Sequence, residues 1–268
     1  MRLAASLHPR RSRFAVIAGV VAFLGVASVS PAGLKVYYLR HAEGGHQVRK
    51  EFENVPKEQW PDYVGNGAMF TPQGKEQVVA ITQELKKYHF DFVAVSPIWR
   101  ARNTILPYLK ENERKAEIWP ELTEMSSPAT KVKELPPARA DLFTGADIVI
   151  PAEERPWFFL REGAGREFET EGSQEQKRAD VRASFEQAVA MVKKRWGGTE
   201  KSVLLVGHAN NGRELLISFN PKYRGDARVI LDNTRLWMME EQPDGSFRLL
   251  MVNSQPLEDV KPAKAGGS

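Results

Sequence analysis

Short apolar runs alternate along this chain with longer amphipathic segments, and that alternation restricts the fold more than any other property of the sequence. The runs KVYYL (35–39), DFVAV (91–95), AEIW (116–119) and SVLLV (202–206) have strand length. Between them, helical spacing predicts a helix over 73–87, where Val78, Ile81 and Leu85 recur, and another over 99–111. A longer helix over 174–196 carries an apolar face of Val181, Phe185, Val189, Val192 and Trp196. It opens on a capping box of Ser173 and Gln176 and stops at Gly197 and Gly198. A fourth begins near Asn210 and holds Leu215 and Leu216. Apolar strands separated by helices belong to a parallel sheet covered by helices, so the expected class is α/β. The last third, over 228–231, 235–240 and 247–252, reads instead as a small antiparallel meander with a turn at Pro243, Asp244 and Gly245.

Composition removes several kinds of chemistry. The 268 residues include no cysteine, which excludes disulfides, thiolate metal sites, iron–sulfur clusters and cysteine nucleophiles. The formal charge of +4 comes from Arg2, Arg10, Arg11 and Arg13; without them 34 basic residues face 34 acidic ones. A neutral body lacks the positive field that binding to a phosphate backbone needs, so nucleic acid is not expected as a partner. Those arginines precede a run over 14–29 without a charge, with small residues at its end, Gly25, Ala27 and Ser28, and just beyond it, Ser30 and Ala32. This reads as a signal peptide over 1–32, cut after Ala27 or Ala32, with export to the periplasm or the medium as the expectation. An uncleaved anchor is the rival reading, although the run is short against the roughly 20 residues a membrane span needs. Two segments resist assignment: 51–70, rich in Pro, Gly and aromatics, and 125–172, expected as an ordered insertion or lid with Trp157, Phe158 and Phe159 in its core. A tail over 259–268 is expected to fray.

Each of two apolar strands delivers a histidine at its C-terminal edge, His41 after Leu39 and Arg40, and His208 after Val206 and Gly207. In an open α/β sheet that edge is where ligands bind. The second strand runs into Ser96 and, at the start of the next helix, Arg100; the third leads to Glu121 and Glu124. Two histidines, two arginines and a carboxylic acid therefore converge.

These residues sit in blocks that resemble the histidine phosphatase superfamily, in its Arg-His-Gly branch. The blocks are LRHAE (39–43), FTPQGKEQV (70–78), SPIWRARNT (96–104), ELTEM (121–125), EGS (171–173) and LLVGHANNGRELL (204–216), in the family's order, within 34–253. The resemblance implies a three-layer α/β/α sandwich with a mostly parallel central sheet, phosphoglycerate mutase-like, over 33–258. It also implies hydrolysis of a phosphorylated small molecule through a phosphohistidine, with no metal or other cofactor. Arg40 and Arg100 would grip the phosphoryl oxygens as guanidinium forks. His41 would attack phosphorus as a neutral imidazole if its other nitrogen donates to a backbone carbonyl. His208 would stabilise the transferring group, and Glu124, by the family's Leu-x-Glu block, would protonate the leaving oxygen, with Glu121 as the nearest substitute.

Ala42 stands where the family most often has glycine, and Gln47 where many members have an asparagine phosphate ligand; Gln47 and Ala209 are taken as further phosphate contacts. Ala209 after His208 departs from the aspartate of the acid phosphatase and phytase branch. The alternatives are a mutase-type phosphotransferase, a metal-dependent hydrolase built on His41, Glu43, His46 and His208, and an inactive phosphate-binding module. Outside the metal reading, His46, like His8 and His89, is taken as incidental. The oligomeric state is left open.

Overall fold

The computed structural model describes residues 33–124, 150–160 and 174–257. The expected leader over 1–32, most of the 125–172 insertion, Ser173 of the capping box and the tail from 258 lie outside the described residues. Among those described, the strands are β1 (Lys35–Arg40), β2 (Phe92–Val95), β3 (Ala116–Ile118), β4 (Phe158–Leu160), β5 (Ser202–Gly207), β6 (Leu236–Glu241), β7 (Phe247–Val252) and β8 (Gln255–Pro256). The α-helices are α1 (Pro72–Leu85), α2 (Trp99–Glu111), α3 (Gln174–Trp196) and α4 (Ala209–Phe219).

All eight strands form one sheet in the order β4-β3-β2-β5-β1-β6-β7-β8. The half from β4 to β1 is parallel, and β6 to β8 continue it antiparallel. The central strands show why the chain folds in three layers, because successive side chains leave a strand on opposite faces. Val36 and Tyr38 of β1, with Val203 and Leu205 of β5, join Phe185, Ala188 and Val192 of α3 and Leu215, Leu216 and Phe219 of α4 in one core. Tyr37, Leu39, Leu204 and Val206 face the other way, into a core with Ile81 and Leu85 of α1 and Ile105, Tyr108 and Leu109 of α2. A strand buried on both faces needs continuous apolar sequence, which is why KVYYL and SVLLV are legible as central strands. No helix among the described residues is long and apolar enough to cross a membrane.

Two expectations change. The segment expected as a strand over 228–231 holds a 3-10 turn at Ala227–Val229. Arg228 folds back on Asp226 at 2.7 Å, and the carbonyl of Leu231 accepts from Arg40 Nη1 at 2.6 Å, so the segment's polar groups serve side chains rather than a ladder. Of the aromatic trio expected in the core of a lid, Phe158 and Phe159 instead enter the main sheet, pairing in β4 with Ala116 and Glu117 of β3, and Trp157 lies just before that strand. Three residues are too few to show a period of two. The piece 150–160 is tied down by Glu154, which accepts from Arg102 Nε at 2.6 Å, both side chains being buried.

The first turn of α1 presses on the backbone just beyond His41. Thr71 caps that helix by accepting from Gly74 N–H at 2.9 Å, and its own hydroxyl donates to Glu43 Oε1 at 2.6 Å. A Cβ on Gly74 would stand 2.0 Å from the carbonyl oxygen of Glu43. Gly74→Ala gains about 1 kcal/mol of helix propensity but must displace main chain. The expected net effect is a loss of about 1–3 kcal/mol, read from urea unfolding midpoints. A stabilised variant would show that the contact yields freely.

Candidate active site

The register of β1 with β5 brings the two histidines together. Arg40 lies opposite Gly207, and the pairing continues one step further as His41 N–H donates to the Gly207 carbonyl at 2.9 Å. The imidazoles leave the C-terminal edge side by side, with ring centroids 5.1 Å apart. Both residues are buried, at 2% and 0% exposure.

Each ring is oriented by fixed partners. His41 Nδ1 lies 2.7 Å from the Ala42 carbonyl oxygen, and His41 Nε2 lies 3.2 Å from Arg100 Nε. A carbonyl only accepts and a guanidinium only donates, so Nδ1 carries the proton and Nε2 presents its lone pair. His208 Nε2 pairs with Ser96 Oγ at 2.9 Å. Its Nδ1 has no hydrogen-bond partner among the described residues and lies 3.8 Å from Glu124 Oε2. That carboxylate oxygen also meets Arg100 Nη2 directly.

Arg100 is on the first turn of α2, and Thr104 one turn later bridges it to the histidine loop. The Thr104 hydroxyl donates to the Arg100 carbonyl at 2.6 Å and accepts from Ala42 N–H at 2.9 Å. Arg40, at the end of β1, donates Nη1 to Leu231, while its buried Nε has no partner among the described residues. Glu124 follows a 3-10 turn at Pro120–Leu122. Its loop is held by Asn211 of α4, whose Nδ2 donates to the carbonyls of Leu122 and Thr123 at 3.1 and 2.7 Å. Glu121 is buried in the preceding turn; of the two carboxylates, Glu124 is the one beside Arg100 and His208.

The remaining expected contacts are placed differently. Gln47 Oε1 accepts from Gly44 N–H at 3.0 Å and from Asn233 Nδ2 at 3.2 Å, and its Nε2 donates to Asn233 Oδ1 at 3.0 Å. Asn233 in turn donates to the His41 carbonyl at 2.9 Å, so Gln47 reaches the centre through Asn233. Ala209 opens α4, whose first-turn amides have no partner within the helix and favour an anion there. His46, read as incidental outside the metal hypothesis, has its ring 5.8 Å from that of His41. Glu43 is bound to Thr71, and among the described residues no group of three or more His, Asp or Glu could hold a metal ion.

Sequence reading missed Ser96, Thr104, Asn211 and Asn233 as supports. Ser96 and Thr104 stand inside the quoted block SPIWRARNT, which was the available signal. Nothing in the sequence marks Asn233, on a loop reached only through the fold.

Burial and then the adjacent Arg100 guanidinium hold both imidazoles well below the usual 6.5, opposed at His41 by its bond to the Ala42 carbonyl. Burial also lowers Arg40, against the pull of Asp232 and Glu124. The site thus presents two neutral imidazoles among cationic donors.

A family model, histidine phosphatase superfamily (branch 1), matches residues 36–255, and the chain belongs to that family. No curated protein sequence matches. Among solved structures, one titled mycobacterial hydrolase 1 is similar at 17% identity and TM-score 0.51, covering 83% of this chain and 99% of its own, a likeness of fold. A mycobacterial glucosyl-3-phosphoglycerate phosphatase has 17% identity and TM-score 0.49, over 83% of this chain and 100% of its own. A phosphoserine phosphatase from Entamoeba histolytica has 16% identity and TM-score 0.49, over 83% and 98%.

The depressed imidazoles set a pH dependence of stability. In the unfolded chain both titrate near 6.5, so below that the unfolded state takes up protons that the folded state refuses. Stability is then full above that point and falls as the pH falls, by up to about 1.4 kcal/mol per pH unit for each histidine. Urea unfolding midpoints measured from pH 7 down to about 5.5 should fall in wild type and fall less steeply in His208→Asn. A flat wild-type profile would contradict buried, neutral imidazoles.

Proposed function

We propose that this protein hydrolyses phosphomonoesters of small molecules through a covalent phosphohistidine on His41, without a metal ion. The observation that carries this reading is the His41 imidazole, with Nδ1 donating to the Ala42 carbonyl and its Nε2 lone pair beside Arg100. A lone pair fixed in direction and kept unprotonated by burial is what attack on phosphorus requires. The loose transition state spreads charge over three oxygens, and Arg40 Nε, which has no partner among the described residues, the Arg100 guanidinium and His208 Nδ1 are the donors for it.

In the first step His41 Nε2 bonds to phosphorus while the bond to the ester oxygen breaks, and that oxygen takes a proton from Glu124, which has received it from the bound phosphate monoanion and gives it back to inorganic phosphate at the end of the cycle. In the second, the Glu124 carboxylate takes a proton from water, whose oxygen attacks phosphorus. The P–N bond breaks, its electron pair returns to Nε2, and inorganic phosphate leaves. Glu124 contacts Arg100, so arriving phosphoryl oxygens would compete for that guanidinium and free the carboxyl toward the leaving group.

Turnover of an aryl phosphate should survive a chelator and be blocked by vanadate, and alkaline quench of a labelled substrate should trap a phosphohistidine, whose P–N bond survives base and is cleaved by acid. His41→Ala should lose essentially all turnover, and Arg40→Ala or Arg100→Ala about 10³-fold, as when preorganised charge at the transition state is removed. Loss with chelator and recovery with zinc would sink the proposal.

Leaving groups separate the acid from its neighbour. Glu124→Gln should cost alkyl and sugar phosphates about 10²- to 10⁴-fold while an activated aryl phosphate, whose phenolate departs unaided, loses much less. Glu121→Gln should be nearly silent in the same comparison. Equal losses on both substrates for Glu124→Gln would move the acid elsewhere.

A further inference from the structure

We infer that Tyr38 is a positioning residue for His208, its hydroxyl clamping the peptide groups of that histidine and thereby fixing where the imidazole stands against the transferring phosphoryl group. This rests on the role of His208 proposed above. Tyr38 is wholly buried on the face of β1 that packs beneath α3 and α4. Both hydrogen bonds of its hydroxyl go to one residue 170 positions away. The oxygen accepts from His208 N–H at 2.6 Å and donates to the His208 carbonyl at 2.9 Å.

Position 208 needs such a partner. His208 is the first residue past β5 and the cap of α4, where an N–H has neither a place within the strand nor an acceptor inside the helix. Its carbonyl already takes Gly212 N–H at 2.9 Å in the first helical bond, so the hydroxyl adds a second ligand there. With both peptide groups on one oxygen, and with Ser96 on Nε2, the backbone and the ring tip of His208 are held from two sides.

The clamp has a reserved berth. A Cβ on Gly207 would fall 2.3 Å from the Tyr38 hydroxyl oxygen, and a Cβ on Gly212 would fall 2.5 Å from Tyr38 Cε1. Two glycines therefore leave the space into which the ring fits. Trp237 closes it from the other side, stacked on Tyr38 at 5.3 Å and 10°, with Nε1 donating to the Gly212 carbonyl at 3.0 Å. Burial raises the phenol far above its usual pKa, so the group stays a donor at any working pH. A phenylalanine would fill the same space without the hydroxyl, which separates packing from positioning.

The test is a double-mutant cycle on an aryl phosphate with vanadate binding alongside. Tyr38→Phe should lower kcat about 10- to 100-fold with little change in KM, as for a small misplacement of a reacting group, and weaken vanadate in step. Added to His208→Ala, the same change should cost less than about twofold, because a residue acting only through His208 has nothing left to aim. Gly207→Ala, whose methyl pushes the hydroxyl aside without removing the ring, should reproduce the loss. Additive losses, full activity in Tyr38→Phe, or failure of both Tyr38→Phe and Gly207→Ala to fold would overturn the inference by making the clamp dispensable or purely structural. An active wild type with any of these outcomes leaves the phosphatase reading standing; a wild type that turns over no phosphomonoester ends both.

Discussion

The parallel pairing of β1 with β5 is the constraint on which the site depends. It sets Arg40 against Gly207 and runs on into the bond between His41 N–H and the Gly207 carbonyl, so the two histidines leave the sheet as neighbours. A slip of one residue would send every side chain of a strand to the opposite face. Because both faces are apolar, that slip is opposed by packing and not by polarity: Val36 and Tyr38 fill one core and Tyr37 and Leu39 the other, and a slip would exchange side chains of different shape in close-packed surroundings. The register of the imidazoles is thus enforced by apolar residues several ångströms below them.

From this placement the electrostatics follow. Two imidazoles brought close together beneath the protein surface cannot both charge beside Arg100 and Arg40, so they stay neutral and the cations carry the positive field. Buried guanidinium groups need compensation, because an uncompensated buried charge is strongly destabilising. Glu124 supplies it to Arg100, and Asp232 acts on Arg40. An anion with several oxygens entering there satisfies the same donors, which ties occupancy of the site to displacement of the carboxylate.

The features legible in the sequence share a physical origin. Central strands are continuous apolar runs and helices repeat every third or fourth residue, so KVYYL, SVLLV and the helix over 99–111 are read directly, and the strand ends hand over His41, His208 and Arg100. Illegible were elements too short for any period, such as β4, and contacts that exist only once the chain has closed on itself. The segment at 228–231 carries the short apolar run Val229, Ile230 and Leu231, yet its groups are drawn off to Arg40 and Asp226 instead of a strand. Gln47 has the chemistry of a phosphate ligand, but its amide is engaged with Asn233 and Gly44, a competition that composition cannot reveal.

Four of the supporting residues have one further property in common. Thr104, Asn211, Asn233 and Tyr38 all hydrogen-bond main-chain groups of the site's own loops: Ala42 and Arg100, Leu122 and Thr123, His41, and His208. Apart from the bond of Thr104 to Arg100 within α2, each of these contacts joins two different parts of the chain. The loops past the strand ends lack a ladder, and buried peptide groups left unpaired cost about 1–3 kcal/mol each. Side chains that satisfy those groups therefore stabilise the loops and orient the chemistry in the same contact. Geometry held to a fraction of an ångström is what such chemistry demands, and here polar groups bound to main chain hold the loops that carry His41, His208 and Glu124.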